Sequence, residues 1–187
     1  SIPRKDTNEL AHKLISTFGS LSAVFEASYE QLLEVEGIGE SSALLLSSIP
    51  AICRRYAESS VSGKQNLSDP EEASAYIMRK FYGNNKLESF YMLCLDEVGN
   101  LINCCKMGEG TSGSVMIDKR SVLEAALRNK ADKIIFAHNH PNGVAAPSRN
   151  DIVLTSDLGS VLNGVGIRLV DHIIVAGGEA FSLASVD

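Results

Sequence analysis

Lys133-Ile134-Ile135-Phe136-Ala137-His138-Asn139-His140-Pro141 carries a short apolar run straight into two histidines set one residue apart. Ile134 to Ala137 is too short and too continuously apolar for a surface helix, so it reads as a buried strand. On an extended chain residues i and i+2 point the same way, so His138 and His140 leave the strand end on one face. A loop follows, Pro141-Asn142-Gly143-Val144-Ala145-Ala146-Pro147, and then Ser148-Arg149-Asn150-Asp151 in the pattern that opens a helix. Two imidazoles and a carboxylate therefore meet where a strand hands over to a helix.

The surroundings of this stretch alternate in the same way. Ser68-Asp69-Pro70-Glu71-Glu72 is a helix start, with a capping residue, a first-turn proline and acids facing the dipole, and the helix runs to about Phe81. Ser89 to Asp96 reads as a strand, Val98-Gly99-Asn100 as a turn, and Leu101 to Met107 as a returning strand. Asp118 caps a helix to about Asn129, a further helix lies near Asn150 to Leu162, and His172 to Val175 is the last strong strand. The glycine pairs Gly108-x-Gly110 and Gly177-Gly178 read as turns. Helices interleaved with apolar strands predict a mixed α/β layer domain.

Upstream the character changes. Leu10, Leu14, Ile15 and Phe18 fall at helical spacing until Gly19 stops them, and Ser20 and Ser28 each cap a short helix, through Phe25 and Leu33. Gly37-Ile38-Gly39 separates the third helix from one over Glu40 to Ile49, and Pro50 is expected to begin another that ends near Tyr56 to Glu58. Ser59 to Leu67 is polar, small and aperiodic. The expected organisation is an all-helical domain over 1–60, a linker over 61–68 and the α/β domain over 69–187.

Bulk properties narrow the function. Of 187 residues 44% are apolar, enough for a core without cross-links. The net charge of −6 supplies no basic field toward DNA or anionic lipid. Cys53, Cys94, Cys104 and Cys105 form no C-x-x-C pair; Cys94 lies in an apolar run and Cys53 in a helical pattern, so both are expected to be buried free thiols. No signal-peptide pattern and no apolar run near the ~20 residues of a membrane span leads to the expectation of a reducing cytoplasm and no membrane partner.

The spacing H-x-H-x10-D over His138, His140 and Asp151 suits zinc, with two neutral imidazoles, one carboxylate and a fourth position left to water. Such a centre supplies hydroxide near neutral pH. Each part also has a plainer use. Ser148 and Asp151 match a helix-capping pair, and either histidine alone matches a polar residue at a strand end.

His138-Asn139-His140-Pro141 with Pro147-Ser148 and Asp151 resembles the JAMM (JAB/MPN) metalloprotease pattern H-x-H-P-x6-S-x2-D. With Asp171-His172-Ile173-Ile174-Val175 after it, the chain looks like the bacterial RadC branch over nearly its whole length, although Asn142 stands where RadC-like chains usually carry serine. The resemblance implies an α+β chain: an N-terminal helix-hairpin-helix domain and a C-terminal α/β layered JAMM (MPN, cytidine-deaminase-like) domain. It also implies that His138, His140 and Asp151 are Zn2+ ligands, with Ser148 donating to a developing oxyanion. A glutamate at the start of an earlier strand then moves the proton; Glu88 stands at that place, with Glu109 in reserve. His172 admits two readings, a residue orienting a metal ligand or a satisfied histidine at a strand end, while His12 reads as surface or partial core.

The implied activity is zinc-dependent hydrolysis of a peptide or isopeptide amide bond in a peptide or protein substrate, through a zinc-bound water. The alternatives are a DNA-repair-associated DNA-binding protein and a metal-dependent nuclease. Val35-Glu36-Gly37-Ile38-Gly39 fits a helix-hairpin-helix turn whose N–H groups hold phosphate. Against that, residues through Gly63 carry five Lys/Arg and eight Asp/Glu, and Glu34, Glu36 and Glu40 surround the turn. Direct DNA contact by this half is therefore disfavoured. Neither a P-loop nor a zinc-deaminase signature is present.

Overall fold

The computed structural model describes residues 7–59, 65–83, 87–111, 115–141 and 143–186. It divides into two units, Ser1–Ser60 and Val61–Asp187. Asn142 and half of the expected linker, residues 61–64, lie outside the described residues.

In the first unit, caps set the helix boundaries. Helix α1 (Asn8–Phe18) stops at Gly19, whose φ of +87° suits glycine. Ser20 accepts from the Ala23 N–H to start α2 (Leu21–Glu26), and Ser28 forms a reciprocal box with Gln31 at α3 (Tyr29–Leu33). The turn to α4 (Glu40–Ser59) carries Gly37 at φ +97°, and Val35 and Ile38 drop into a core with Leu14, Val24, Leu32 and Ala43.

Two expectations fail here. Pro50 does not begin a new helix but lies inside α4, which runs through it. Proline removes one donor, so the Leu46 carbonyl loses its usual partner, yet the bonds on either side hold one axis. Cys53 is exposed rather than buried. It lies past Ala43 on the stretch of α4 that turns mostly outward, where helical periodicity alone does not distinguish a packed face.

The second unit is a five-stranded mixed sheet in the order β2-β1-β3-β4-β5, made of β1 (Glu88–Leu95), β2 (Leu101–Gly110), β3 (Lys133–Asn139), β4 (Arg168–Ala176) and β5 (Glu179–Ser182). Only β3 and β4 run parallel among these neighbours. Helix α5 (Pro70–Phe81), capped by Asp69, covers one face: Ile77 and Phe81 pack on Leu93, Ile135 and Ile173. Helices α6 (Lys119–Arg128) and α7 (Arg149–Asn163) cover the other, where Val122, Leu158 and Leu162 meet Met92, Ile134 and Phe136. Alternation along β1 and β3 assigns each residue to a face. The chain is thus an all-helical stretch followed by a mixed α/β region, as the resemblance implies.

Several boundaries move. Leu67 is buried, and Gln65 and Leu67 hydrogen-bond to Leu101 and Gly99, so the segment before α5 is already part of the α/β unit. Gly108 and Gly110 lie within β2, not in a turn. A Cβ on Gly108 would come within 2.8 Å of Val115 and 2.9 Å of Ile117, so that glycine serves close packing. Gly177-Gly178 is a turn as expected, and it introduces β5, which the sequence reading did not include.

Candidate metal centre

Strand β3 extends two residues beyond the apolar run, so His138 and Asn139 belong to it and His140 follows at once. The His140 N–H donates to the Val175 carbonyl at 2.9 Å, which keeps the chain straight past the strand end. Both histidines therefore share the face of Phe136, on the α7 side of the sheet. Helix α7 starts beside them: Asp151 accepts from the Ser148 N–H at 2.7 Å, and the Ser148 hydroxyl accepts from the Asp151 N–H at 3.2 Å. This capping box turns the Asp151 carboxylate back toward the helix N-terminus, where a negative charge is favoured.

The donor atoms converge. His138 Nε2 lies 2.8 Å from His140 Nε2 and 3.2 Å from Asp151 Oδ1, and His140 Nε2 lies 3.5 Å from Asp151 Oδ2. A tetrahedral ion with bonds of about 2.0–2.1 Å separates its ligand atoms by roughly 3.3 Å, so these spacings and this borderline nitrogen–oxygen set fit zinc. Among the described residues this is the one such cluster of three. The His138 side chain is 1% exposed, Asp151 13% and His140 21%, so the centre is walled on the sheet side and reached past His140.

Electrostatics agree with that picture. Partial burial alone would raise the Asp151 carboxyl, but hydrogen bonds with His138 and Ser148 outweigh it and hold the group well below the usual carboxylate range. The Asp151 side chain is therefore held as an anion at neutral pH.

Each imidazole of the cluster has its far nitrogen engaged. His140 Nδ1 faces the Val144 carbonyl at 3.1 Å, and His138 Nδ1 faces His172 Nε2 at 2.8 Å. His172 is buried, and that burial, with the neighbouring imidazoles, lowers it to about 3. Its contact with His138, a member of the candidate cluster, is compatible with the first of its two readings. Asp171 does not reach its ring; it binds Ser182 Oγ and the Ala184 N–H, fastening β4 to β5 and the final turn. His12 is exposed on α1, far from any such role.

Glu88 is the first residue of β1, two before Phe90, which pairs with His138 in register and stacks on its ring at 5.9 Å. Glu88 therefore starts on the metal-side face. Glu109 does not. It is paired with Ser89, whose hydroxyl donates to it at 3.0 Å on the opposite face, and with Lys106.

Sequence reasoning missed Asn139 and Thr155. The buried Asn139 amide accepts from the Ser89 N–H at 2.8 Å and donates to the Leu87 carbonyl at 3.0 Å, gripping the peptide groups on both sides of Glu88. Its place between two histidines at a strand end was the available signal. Thr155 touches His172 and nothing in its helical context marks it.

Comparison with known proteins agrees with this geometry. The sequence profile of the RadC-like JAB domain matches residues 67–187. A UPF0758 protein of Bordetella avium (strain 197N) is 38% identical over 176 residues, 94% of this chain and 78% of the relative. One from Chromobacterium violaceum is 37% identical over 176 residues with the same coverage, and one from Coprothermobacter proteolyticus is 32% identical over 179 residues, 94% of this chain and 76% of the relative.

Proposed function

The chain belongs to the RadC-like JAB-domain family, and from that premise we propose that it is a zinc-dependent hydrolase of peptide or isopeptide amide bonds. The observation that carries this reading is the convergence of His138, His140 and Asp151 from a strand end and a helix start, with an approach from solvent. Three protein ligands are the pattern of a catalytic rather than a structural zinc. A divalent ion held there would polarise a carbonyl and acidify water.

The protein's own groups supply the rest. Glu88 takes a proton from the attacking water onto its carboxylate and returns it to the leaving amine. The Ser148 cap uses an oxygen lone pair to receive the Asp151 N–H, which leaves its own O–H proton to donate to the oxyanion. Asn139 holds the backbone on both sides of Glu88, so the carboxylate springs from a fixed point.

The test is elemental analysis of the purified chain, followed by cleavage of peptide and isopeptide libraries with and without chelator. His138→Ala is expected to lose zinc. Glu88→Ala is expected to keep zinc and lose activity by about 10²–10⁴-fold. Zinc-loaded chain that cleaves nothing in the libraries, or Glu88→Ala that cleaves normally, overturns the proposal.

A further inference from the structure

Behind the metal-binding atoms a chain of side chains runs from one ligand back to another. His138 Nδ1 meets His172 Nε2 at 2.8 Å, His172 Nδ1 meets Thr155 Oγ1 at 2.6 Å, and Thr155 Oγ1 meets the Asp151 carbonyl oxygen at 2.5 Å. The last contact is the ordinary bond of a helical threonine to the residue four back. The first two are not ordinary, because a buried imidazole has one proton and two nitrogens to satisfy.

The contacts fix where that proton goes. His140 Nδ1 faces a carbonyl, which only accepts, so its proton is on Nδ1 and its Nε2 is a lone pair. Thr155 donates its one proton to the Asp151 carbonyl, so its oxygen accepts from His172 Nδ1–H. His172 Nε2 is then a lone pair and accepts from His138 Nδ1–H, which leaves the His138 Nε2 lone pair facing His140 and Asp151. A divalent ion needs that lone pair, so this is the arrangement a metal ligand requires. Reversing the chain would set the Thr155 oxygen and the Asp151 carbonyl, two acceptors, against each other across 2.5 Å.

We infer that His172, backed by Thr155, is the positioning residue of the metal centre, holding His138 through a hydrogen bond whose polarity keeps the His138 Nε2 lone pair turned to the cluster. The inference rests on the zinc reading of the His138–His140–Asp151 cluster. With Thr155 accepting on one side and His138 donating on the other, His172 works as a tautomer and not as a charge. It also ties the strand ligand to the helix ligand by a route other than the Pro141–Pro147 loop. A neutral partner orients His138 without adding a second anion to Asp151 beside the ion.

Histidine side-chain ¹H–¹⁵N correlation spectra at pH 8, recorded before and after loading with zinc(II), read the tautomers directly. The expected result is a His172 proton on Nδ1 in both the stripped and the loaded chain. A His172 proton on Nε2 in a chain that binds zinc overturns this inference alone; failure to bind zinc overturns it together with the zinc reading. Zinc affinity by competition with a chelating dye gives an independent measure. His172→Phe is expected to weaken binding about 10- to 100-fold, and His172→Gln, which offers both an acceptor and a donor, to recover most of that. Thr155→Val weakens binding on its own but adds nothing to His172→Phe; additive losses would mean that Thr155 does not act through His172, and overturn the relay.

Discussion

At the scale of single residues, the site is built from groups that hold two positions at once. Ser148 caps α7 with a lone pair and keeps a proton to donate, and Asp151 closes the capping box with Oδ2 while Oδ1 faces His138. Structural and chemical uses are usually weighed as rivals; here one atom geometry leaves room for both. The two uses separate on substitution. Glycine at an N-cap costs only a few tenths of a kcal/mol against serine, whereas losing one oxyanion donor costs about 10²–10³ in kcat. Ser148→Gly is therefore expected to unfold in urea within about 0.5 kcal/mol of the parent chain while its amide hydrolysis drops by that factor. Equal activity in the two chains would reduce Ser148 to a cap. Cys94 makes the contrasting case of a reactive group without a role: burial pushes its thiol up to about 12, with Cys105 nearby, so it packs as an apolar side chain.

At the scale of elements, turns carry the register on which the site depends. Gly99 joins β1 to β2 at φ +90°, and a Cβ there would lie 2.0 Å from Ser68 Oγ and 3.3 Å from Ser68 N. The left-handed conformation costs an L-residue roughly 1–2 kcal/mol, and displacing Ser68 breaks its bond to Val98. Gly99→Ala is expected to lower stability by about 2–3 kcal/mol, read as a lower urea midpoint. Gly177 at φ +58° has open space around it, so Gly177→Asn should shift that midpoint little. The same elements explain what was legible beforehand. Caps, apolar runs and the His138-x-His140 spacing are local signals, and they placed α5, α6, α7, β1 and β3 to within a few residues. What failed was settled by distant partners. Pro50 stays within α4 although its own φ preference and missing donor argue for a break. Gly108 looks like a turn until Val115 and Ile117 are seen against it, and β5 exists because β4 offers it an edge. Thr155 was invisible for the same reason, and Asn139 offered only its place between the two histidines. Their partners lie 17 and 50 residues away or more.

At the scale of the whole molecule, charge and core make separate predictions. The chain carries a net −6, and the turn before α4 is flanked by Glu34, Glu36 and Glu40, with Lys13 already bound to Glu36. Because phosphate affinity comes mainly from released counterions, band-shift titration with duplex, forked or single-stranded DNA is expected to show no complex at 150 mM salt; a shift that survives there would restore the DNA-binding alternative. The core speaks to the metal. Phe136, Ile134, Leu158 and Leu162 fill one side of the sheet, and Ile77, Leu93 and Ile173 the other, so the α/β unit has two apolar layers that owe nothing to an ion. It differs in this from small zinc domains, whose folding free energy is the metal's binding free energy. Stripping the ion should leave the far-ultraviolet circular dichroism intact and only lower the melting point. Zinc at a hundred times its dissociation constant adds about 2.7 kcal/mol, or roughly 10 °C for a unit of this size. A chelator that abolishes the helical and sheet signal would show the ion to be structural. No shift on adding zinc to stripped chain would show that the three donors do not share one.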